Sequence, residues 1–373
     1  MSREQIAQSV FRFVDRHISP NLEQWEQQGR LPRELYQLAG EAGLLGLGYP
    51  EELGGTPATV DETLALTREL MRTGCGGLVA GLLSHSIALP PLVAGGSEEL
   101  KRELVPPVLQ GNRIAALAVT EPGGGSDVAA ITTRAELCSD HYVVTGAKTF
   151  ITSGCQADLF TLAVRTGGEG AGGVSLLMVE ADTPGLSRSS PLKKMGWHAS
   201  DTAEIYLDHI RVPANRLVGE EGQGFALLMA NFVRERLNLA VMANTTSELA
   251  LEKAAAYASI RNTFGSPLID KAVIRHKLAE MATRLEASIC LTEKAARKMD
   301  AGDNCAMESA MAKNMATDSC DFITHQGVQI LGGLGYMREA GMERLARDGR
   351  LLSIGGGTRE IMNEIIAKCL LEQ

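Results

Sequence analysis

The sequence of 373 residues is poor in aromatic side chains, with 2 Trp, 6 Tyr and 8 Phe, or 4%. It also lacks an excess of positive charge: 36 Lys+Arg stand against 45 Asp+Glu, for a formal net charge of -9. A nucleic-acid surface needs a basic face to neutralise phosphates, so no nucleic acid is expected as a partner. The seven cysteines, at 75, 138, 155, 290, 305, 320 and 369, form no C-x-x-C pair, and the histidines have no metal-ligand spacing. No metal is therefore expected, and the scattered thiols read as reduced side chains in a cytoplasmic protein. The first residues, Met-Ser-Arg-Glu-Gln-Ile, lack the apolar segment of a signal peptide. Residues 73–97 contain no Asp, Glu, Lys or Arg, but Ser84-His85-Ser86, Pro90-Pro91 and Gly95-Gly96 interrupt them. That pattern predicts a buried helix plus turn and no membrane span.

Glycine, by contrast, is abundant at 40 residues, alongside 45% hydrophobic residues. A disordered linker would not be so apolar, so the glycines need a positional explanation. The length admits two or three domains, and three zones are visible. In residues 1–112, Ile6, Val10, Phe13 and Val14 lie on one helical stripe, and Val60, Leu64 and Met71 lie on another. In residues 113–218, β-branched runs at 132–137, 142–145, 159–165 and 174–179 and an alternating run at 202–212 predict a compact antiparallel β-domain. In residues 219–373 helices return. Gly265-Ser266-Pro267 ends the first of them, and Leu278, Met281, Leu285 and Ile289 stripe the second. Met307, Met311 and Met315 recur along the third, and 360–371 closes a four-helix bundle. The expected fold class is α+β: an N-terminal all-α domain, a middle antiparallel β-domain and a C-terminal four-helix bundle.

Several glycines sit in patterns with chemical meaning. Gly168-Glu169-Gly170-Ala171-Gly172-Gly173 matches a dinucleotide fingerprint by spacing alone; a strand follows where that motif needs a helix, so a hairpin loop is expected. The segment from Ala118 to Asp127 carries three glycines with hydroxyls at Thr120 and Ser126. Its free backbone N–H groups suit a flat polar ring or an anion, or else Ser126 or Asp127 caps a helix. Lys148-Thr149-Phe150-Ile151-Thr152 places an aromatic and a hydroxyl beyond a strand.

Phe225, Leu228, Met229, Phe232, Arg236 and Leu239 form a helical stripe, with Leu227, Val233 and Leu237 on the other sides. Glu235-Arg236 inside such a buried helix is costly unless partnered. Burial raises a Glu pKa toward the working pH, which suits a general base; a structural ion pair is the alternative. Gly355-Gly356-Gly357-Thr358 precedes the last helix, as an anion- or carbonyl-binding start or as a loop with Thr358 as N-cap.

In this order the segments resemble the acyl-CoA dehydrogenase family from end to end. The T-E-P-x-x-G-S-D turn is followed by K-x-x-I-T-x-G, then S-D-T at Ser200-Asp201-Thr202. R-x-x-F-G from Arg261, Q-I-L-G-G from Gln329 and a C-terminal G-G-T complete the set. The resemblance implies FAD, an acyl-CoA thioester substrate and α,β-desaturation to the trans-2-enoyl-CoA. It also implies an electron-transfer flavoprotein as electron acceptor and a homotetramer. Carried over by motif, Leu117, Val119, Thr120, Gly125 and Ser126 would hold the flavin, with Phe150 and Thr152 against its ring. Arg261, Thr263, Phe264, Gln329, Gly332 and Gly333 would bind the distal part of FAD from a neighbouring subunit, completed by Thr358 and Glu360. On the substrate side, Ser126 and Ser200 would touch the acyl-CoA, Ser200 at its CoA portion, with Val233 and Arg236 along the acyl channel.

Two departures stand out. Most members carry a catalytic Glu where this chain has Gly356; Glu235 instead occupies the E-R-L position used by the isovaleryl- and long-chain subgroups. Ala272 and Arg275 stand where many members have glutamines. The implied mechanism makes Glu235 the α-proton base and the Gly356 N–H a donor to the thioester carbonyl. An oxygen-using acyl-CoA oxidase, or a catalytically silent acyl-CoA-binding relative, is the alternative.

Overall fold

The computed structural model describes residues 2–372. Eight helices come first: α1 (Arg3–Phe13), α2 (Leu22–Gln28), α3 (Arg33–Glu41), α4 (Val60–Met71), α5 (Gly76–Leu82), α6 (His85–Ala88), α7 (Pro90–Gly95) and α8 (Glu98–Leu109). Their starts are written locally. Ser2 with Gln5 and Thr59 with Glu62 form reciprocal capping boxes at α1 and α4, satisfying backbone donors that a helix start leaves unpaired. Ile6, Val10, Phe13, Leu64 and Met71 are buried, as the stripes predict. Residues 73–97 fold as three short helices in place of one helix and a turn, because Leu83 leaves the helical conformation and Pro90 starts a new segment. Leu78, Leu82, Leu89 and Leu92 there are fully buried. Among the described residues no single helix is long and apolar enough to cross a membrane.

Seven strands follow: β1 (Ala115–Ala118), β2 (Arg134–Cys138), β3 (His141–Thr152), β4 (Leu159–Arg165), β5 (Val174–Glu180), β6 (Leu186–Arg188) and β7 (Thr202–Pro213). They make one sheet in the order β1-β4-β2-β3-β7-β6, with β5 on β4. The expected all-antiparallel domain needs correction. β1 pairs with β4 in parallel, Ala115 opposite Leu159, and β2 touches β4 in parallel at Arg134–Arg165. The β2–β3 hairpin lies between β1 and β4 in sequence and brings the chain back in the same direction, which a parallel pair requires. The fingerprint-like glycines at 168–173 do form the β4–β5 connection.

The chain then runs into α9 (Gly224–Ile260), a small hairpin of β8 (Asn262–Thr263) and β9 (Ser266–Pro267), α10 (Ala272–Asp300) and α11 (Ala306–Leu331). It ends in α12 (Gly333–Tyr336), α13 (Met342–Gly349) and α14 (Arg359–Leu371). α11 packs against α9, α10, α13 and α14. The methionine stripe of α11 is not its inner face. Met307, Met311 and Met315 are half-buried, whereas Ser309, Ala312, Lys313, Ala316 and Cys320 are buried. Small side chains let the helix axes approach closely, so the bundle centre is lined by Ala and Ser.

Two buried polar groups join the zones. Glu26 of α2 accepts from the Cys75 thiol at 3.2 Å, the Ala199 N–H at 2.9 Å and Arg347 at 2.8 Å. Asp348 of α13 accepts from the N–H groups of Gly76 (3.0 Å) and Trp197 (2.8 Å). Helical, sheet and bundle segments are thereby tied at one point.

Candidate active site

Glu235 and Gly356 are 121 positions apart and meet in space. A Cβ built on Gly356 would lie 3.5 Å from Glu235 Oε1 and 2.6 Å from Leu239 Cδ1. Gly356 has φ +65°, a left-handed conformation that favours glycine. A base at position 356 and a base at 235 would therefore serve one spot. Glu235 projects from α9 and is half-buried as a residue. Its Oε2 is shut off from solvent and has no hydrogen-bond partner. Burial pushes the carboxyl up to about 7, against the charges of Lys313 and Arg236, which pull it down. A carboxylate exchanging its proton near neutral pH is what a general base needs.

The glycine triplet is held from two sides. Arg236, 5% exposed, donates from Nε to the Gly356 carbonyl at 3.4 Å. Lys313 Nζ donates to the carbonyl of Gly355 at 2.5 Å and to that of Gly357. Thr358 Oγ1 accepts from the Ile361 N–H at 3.4 Å, so the N-cap reading of Thr358 is realised. Lys313 was not singled out in the sequence. The available signal was a lone lysine on the small-residue stripe 309-313-316-320.

The turn after β1 is built on a second buried ion pair. Lys148, fully buried in β3, donates to Glu121 Oε1 at 2.7 Å and to the Val119 carbonyl at 3.1 Å. Glu121 also accepts from the N–H groups of Thr132 and Thr133, at 2.6 and 2.9 Å. Against the upward pull of burial, Lys148 and these donors bring the Glu121 carboxyl down to about 2; burial brings Lys148 to about 8. Outside this anchor the turn is open. A Cβ at Gly123 or Gly124 would meet nothing within 4 Å, and Gly125 and Ser126 are exposed. Neither Ser126 nor Asp127 caps a helix: the short turn at Val128–Ala130 has no side-chain cap. Val119 is buried, while Leu117, Thr120 and Thr152 are half-buried. Phe150 sits at a register shift of β3 with φ +58° and is 69% exposed. An aromatic ring held outward on strained backbone, beside an open glycine turn, fits a flat aromatic cofactor such as the flavin of FAD.

The remaining positions fall in two groups. Arg261, Phe264, Gln329, Gly332 and Gly333 are exposed at the end of the bundle, with Thr263 half-buried. Glu360 is exposed in the first turn of α14. Among the described residues nothing covers them, and Phe264 is fully exposed. Arg275 donates to the carbonyls of Ile269 and Asp270. Val233 lies half-buried on α9, two positions before Glu235. Ser200 is 3% exposed and its hydroxyl is bonded to Lys194 and Trp197, at 3.2 and 3.1 Å.

Comparison with known proteins agrees with the order of the three zones. Residues 2–112, 116–210 and 222–371 match the N-terminal, middle and C-terminal domains of acyl-CoA dehydrogenase. An acyl-CoA dehydrogenase of Bacillus subtilis is 37% identical over 360 residues, 96% of this chain and 95% of that one. The crystal structure of a probable acyl-CoA dehydrogenase from Mycobacterium abscessus superposes with a TM-score of 0.96 at 48% identity, covering 98% of each chain. A glutaryl-CoA dehydrogenase from Mycobacterium smegmatis, solved in complex with FADH2, superposes with a TM-score of 0.92 at 27% identity, covering 100% of this chain and 95% of that one. With its three domains matched in order along nearly its whole length, the chain belongs to the acyl-CoA dehydrogenase family, oxidoreductases that use FAD to dehydrogenate acyl-CoA thioesters.

Proposed function

We propose that Glu235 is the base that removes the α-proton of the acyl-CoA, and that the Gly356 N–H donates to the thioester carbonyl. The carrying observation is the contact of the Gly356 position with the Glu235 carboxyl, 3.5 Å from a Cβ placed there. A proton α to a thioester is weakly acidic, so the developing enolate oxygen needs a fixed donor in a site closed to water. Glu235, with its Oε2 buried and unpartnered, accepts the proton; Arg236 and Lys313 hold the triplet that presents the donor. FAD, when bound, supplies the acceptor for the β-hydride. The product is the trans-2-enoyl-CoA. The turn from Thr120 to Ser126, with Phe150 and Thr152, holds the cofactor's ring.

Phe264, Tyr336 and Leu371 are more than 80% exposed, and Ile260, Val273 and Ile354 at least half exposed. Such a concentration of apolar surface on the bundle supports a homotetramer in which a neighbour's Arg261, Phe264 and Gln329 complete the FAD site. Seven unpaired cysteines, three of them buried, suit a reducing compartment such as the cytoplasm, and an electron-transfer flavoprotein is the acceptor we assign.

The test is Glu235→Gln in the FAD-loaded enzyme. Anaerobic bleaching of the flavin by acyl-CoA should slow by about 10²–10⁴-fold, the usual contribution of a general base. Bleaching at the wild-type rate would remove Glu235 from the mechanism.

A further inference from the structure

Lys313 is among the largest side chains with almost no exposed surface, at 1%. A buried ammonium is costly unless something on its surroundings repays it. Its partners here are two main-chain carbonyls, those of Gly355 and Gly357, on either side of Gly356. A donor shared by residues 355 and 357 fixes the peptide planes around 356, and so the direction of the Gly356 N–H. Position 356 has no Cβ to brace it and adopts φ +65°. Free glycine triplets lose more conformational freedom on ordering than any other segment, so an external clamp is needed to hold one geometry. Arg236 contributes a single long bond of 3.4 Å to the middle carbonyl. The charged groups that bear on Lys313 are Glu235 and Arg236, and those that bear on Glu235 are Lys313 and Arg236.

We propose that Lys313 is a positioning residue for the reaction: its ammonium clamps the Gly355 and Gly357 carbonyls so that the Gly356 N–H faces the thioester, and its charge favours the ionised form of Glu235. The inference rests on Glu235 being the base. It explains why a lysine lies on the small-residue face of α11, where alanine would pack at less cost.

The experiment uses the FAD-loaded enzyme with Lys313→Met, which keeps the side chain's length and removes its charge and donors. The first readout is the pH dependence of flavin bleaching. With the cation gone, the acidic limb should move to higher pH by about one unit. The second is the absorbance of a bound chromophoric enoyl thioester, an aryl-acryloyl-CoA, whose red shift reports polarisation of its carbonyl. That shift should shrink at a pH where Glu235 is protonated in both proteins. A lowered kcat with both readouts unchanged would overturn the proposal and leave Lys313 a packing residue. If Lys313→Met does not fold, Lys313→Arg decides the electrostatic part: with the charge kept the limb should stay in place, and a displaced limb would overturn it. Glu235→Gln separates the two readings. An active Glu235→Gln enzyme ends the base assignment, whereas an inactive one combined with unmoved readouts in Lys313→Met ends only the Lys313 inference.

Discussion

At the scale of single residues, the proposed mechanism turns on the contact between Glu235 and Gly356. The carboxyl is raised to about 7 by burial, so its ionised, proton-accepting fraction grows as pH rises through that value. Bleaching rates should therefore climb from pH 6 to 8 and then level, a profile readable by stopped-flow absorbance. Moving the carboxylate should work in part. Gly356→Glu in the Glu235→Gln background is expected to recover a measurable share of the lost rate. It should fall short of wild type, because the new Cβ comes within 2.6 Å of Leu239 Cδ1 and the backbone there is left-handed. Gly356→Ala alone meets the same two obstacles and should cost about 1–3 kcal/mol of stability by thermal unfolding. Glu235 and Gly356 were both legible in the sequence, one as a charge in an apolar helix and the other as a departure from a motif. Lys313 was not, because a lysine on a helix is ordinarily a solvated side chain, and only packing shows this one facing inward.

At the scale of elements, the turn after β1 depends on β3. Glu121 and Lys148 lie 27 positions apart, and their bond closes the turn against the sheet. Lys148→Met leaves Glu121 buried without its cation, which should destabilise the protein by about 3–5 kcal/mol. Equilibrium dialysis should show weakened FAD retention at temperatures where the chain stays folded. The pH dependence has a definite sign. Glu121 is held down to about 2 from an ordinary 4.5, so its stabilising contribution is present above 4.5 and is lost as pH falls from 4.5 through 2. Glu121→Gln should flatten that part of an acid-unfolding curve. The turn's glycines and hydroxyls were visible beforehand, but the ion pair behind them was not: Glu121 and Lys148 each read as ordinary polar residues at the ends of strands.

At the scale of the molecule, one polar junction joins the three zones. Arg347 donates to Glu26 and Glu343 at 2.8 Å each, while Asp348, raised to about 6 by burial, receives Gly76 and Trp197. Arg347→Ala should lower the melting temperature by more than a surface charge deletion would, since it leaves Glu26 buried without its cation. The exposed bundle end carries the assembly prediction. Phe264→Asp should lower the oligomer's mass in light scattering and weaken FAD binding together, because one surface is assigned both roles.

The sequence by itself determined the order of helical, sheet and bundle zones, since apolar period and turn residues are local properties. It also determined the family, the FAD-dependent reaction class and the vacated position at 356, since motifs survive as short strings. Tertiary structure alone decided that β1 lies parallel to β4, that the small-residue stripe of α11 and not its methionines faces inward, and that Lys313 clamps the glycine triplet. Each of these depends on which distant segment comes to lie alongside. The energy of a buried charge, unlike the identity of the residue carrying it, is set by those neighbours.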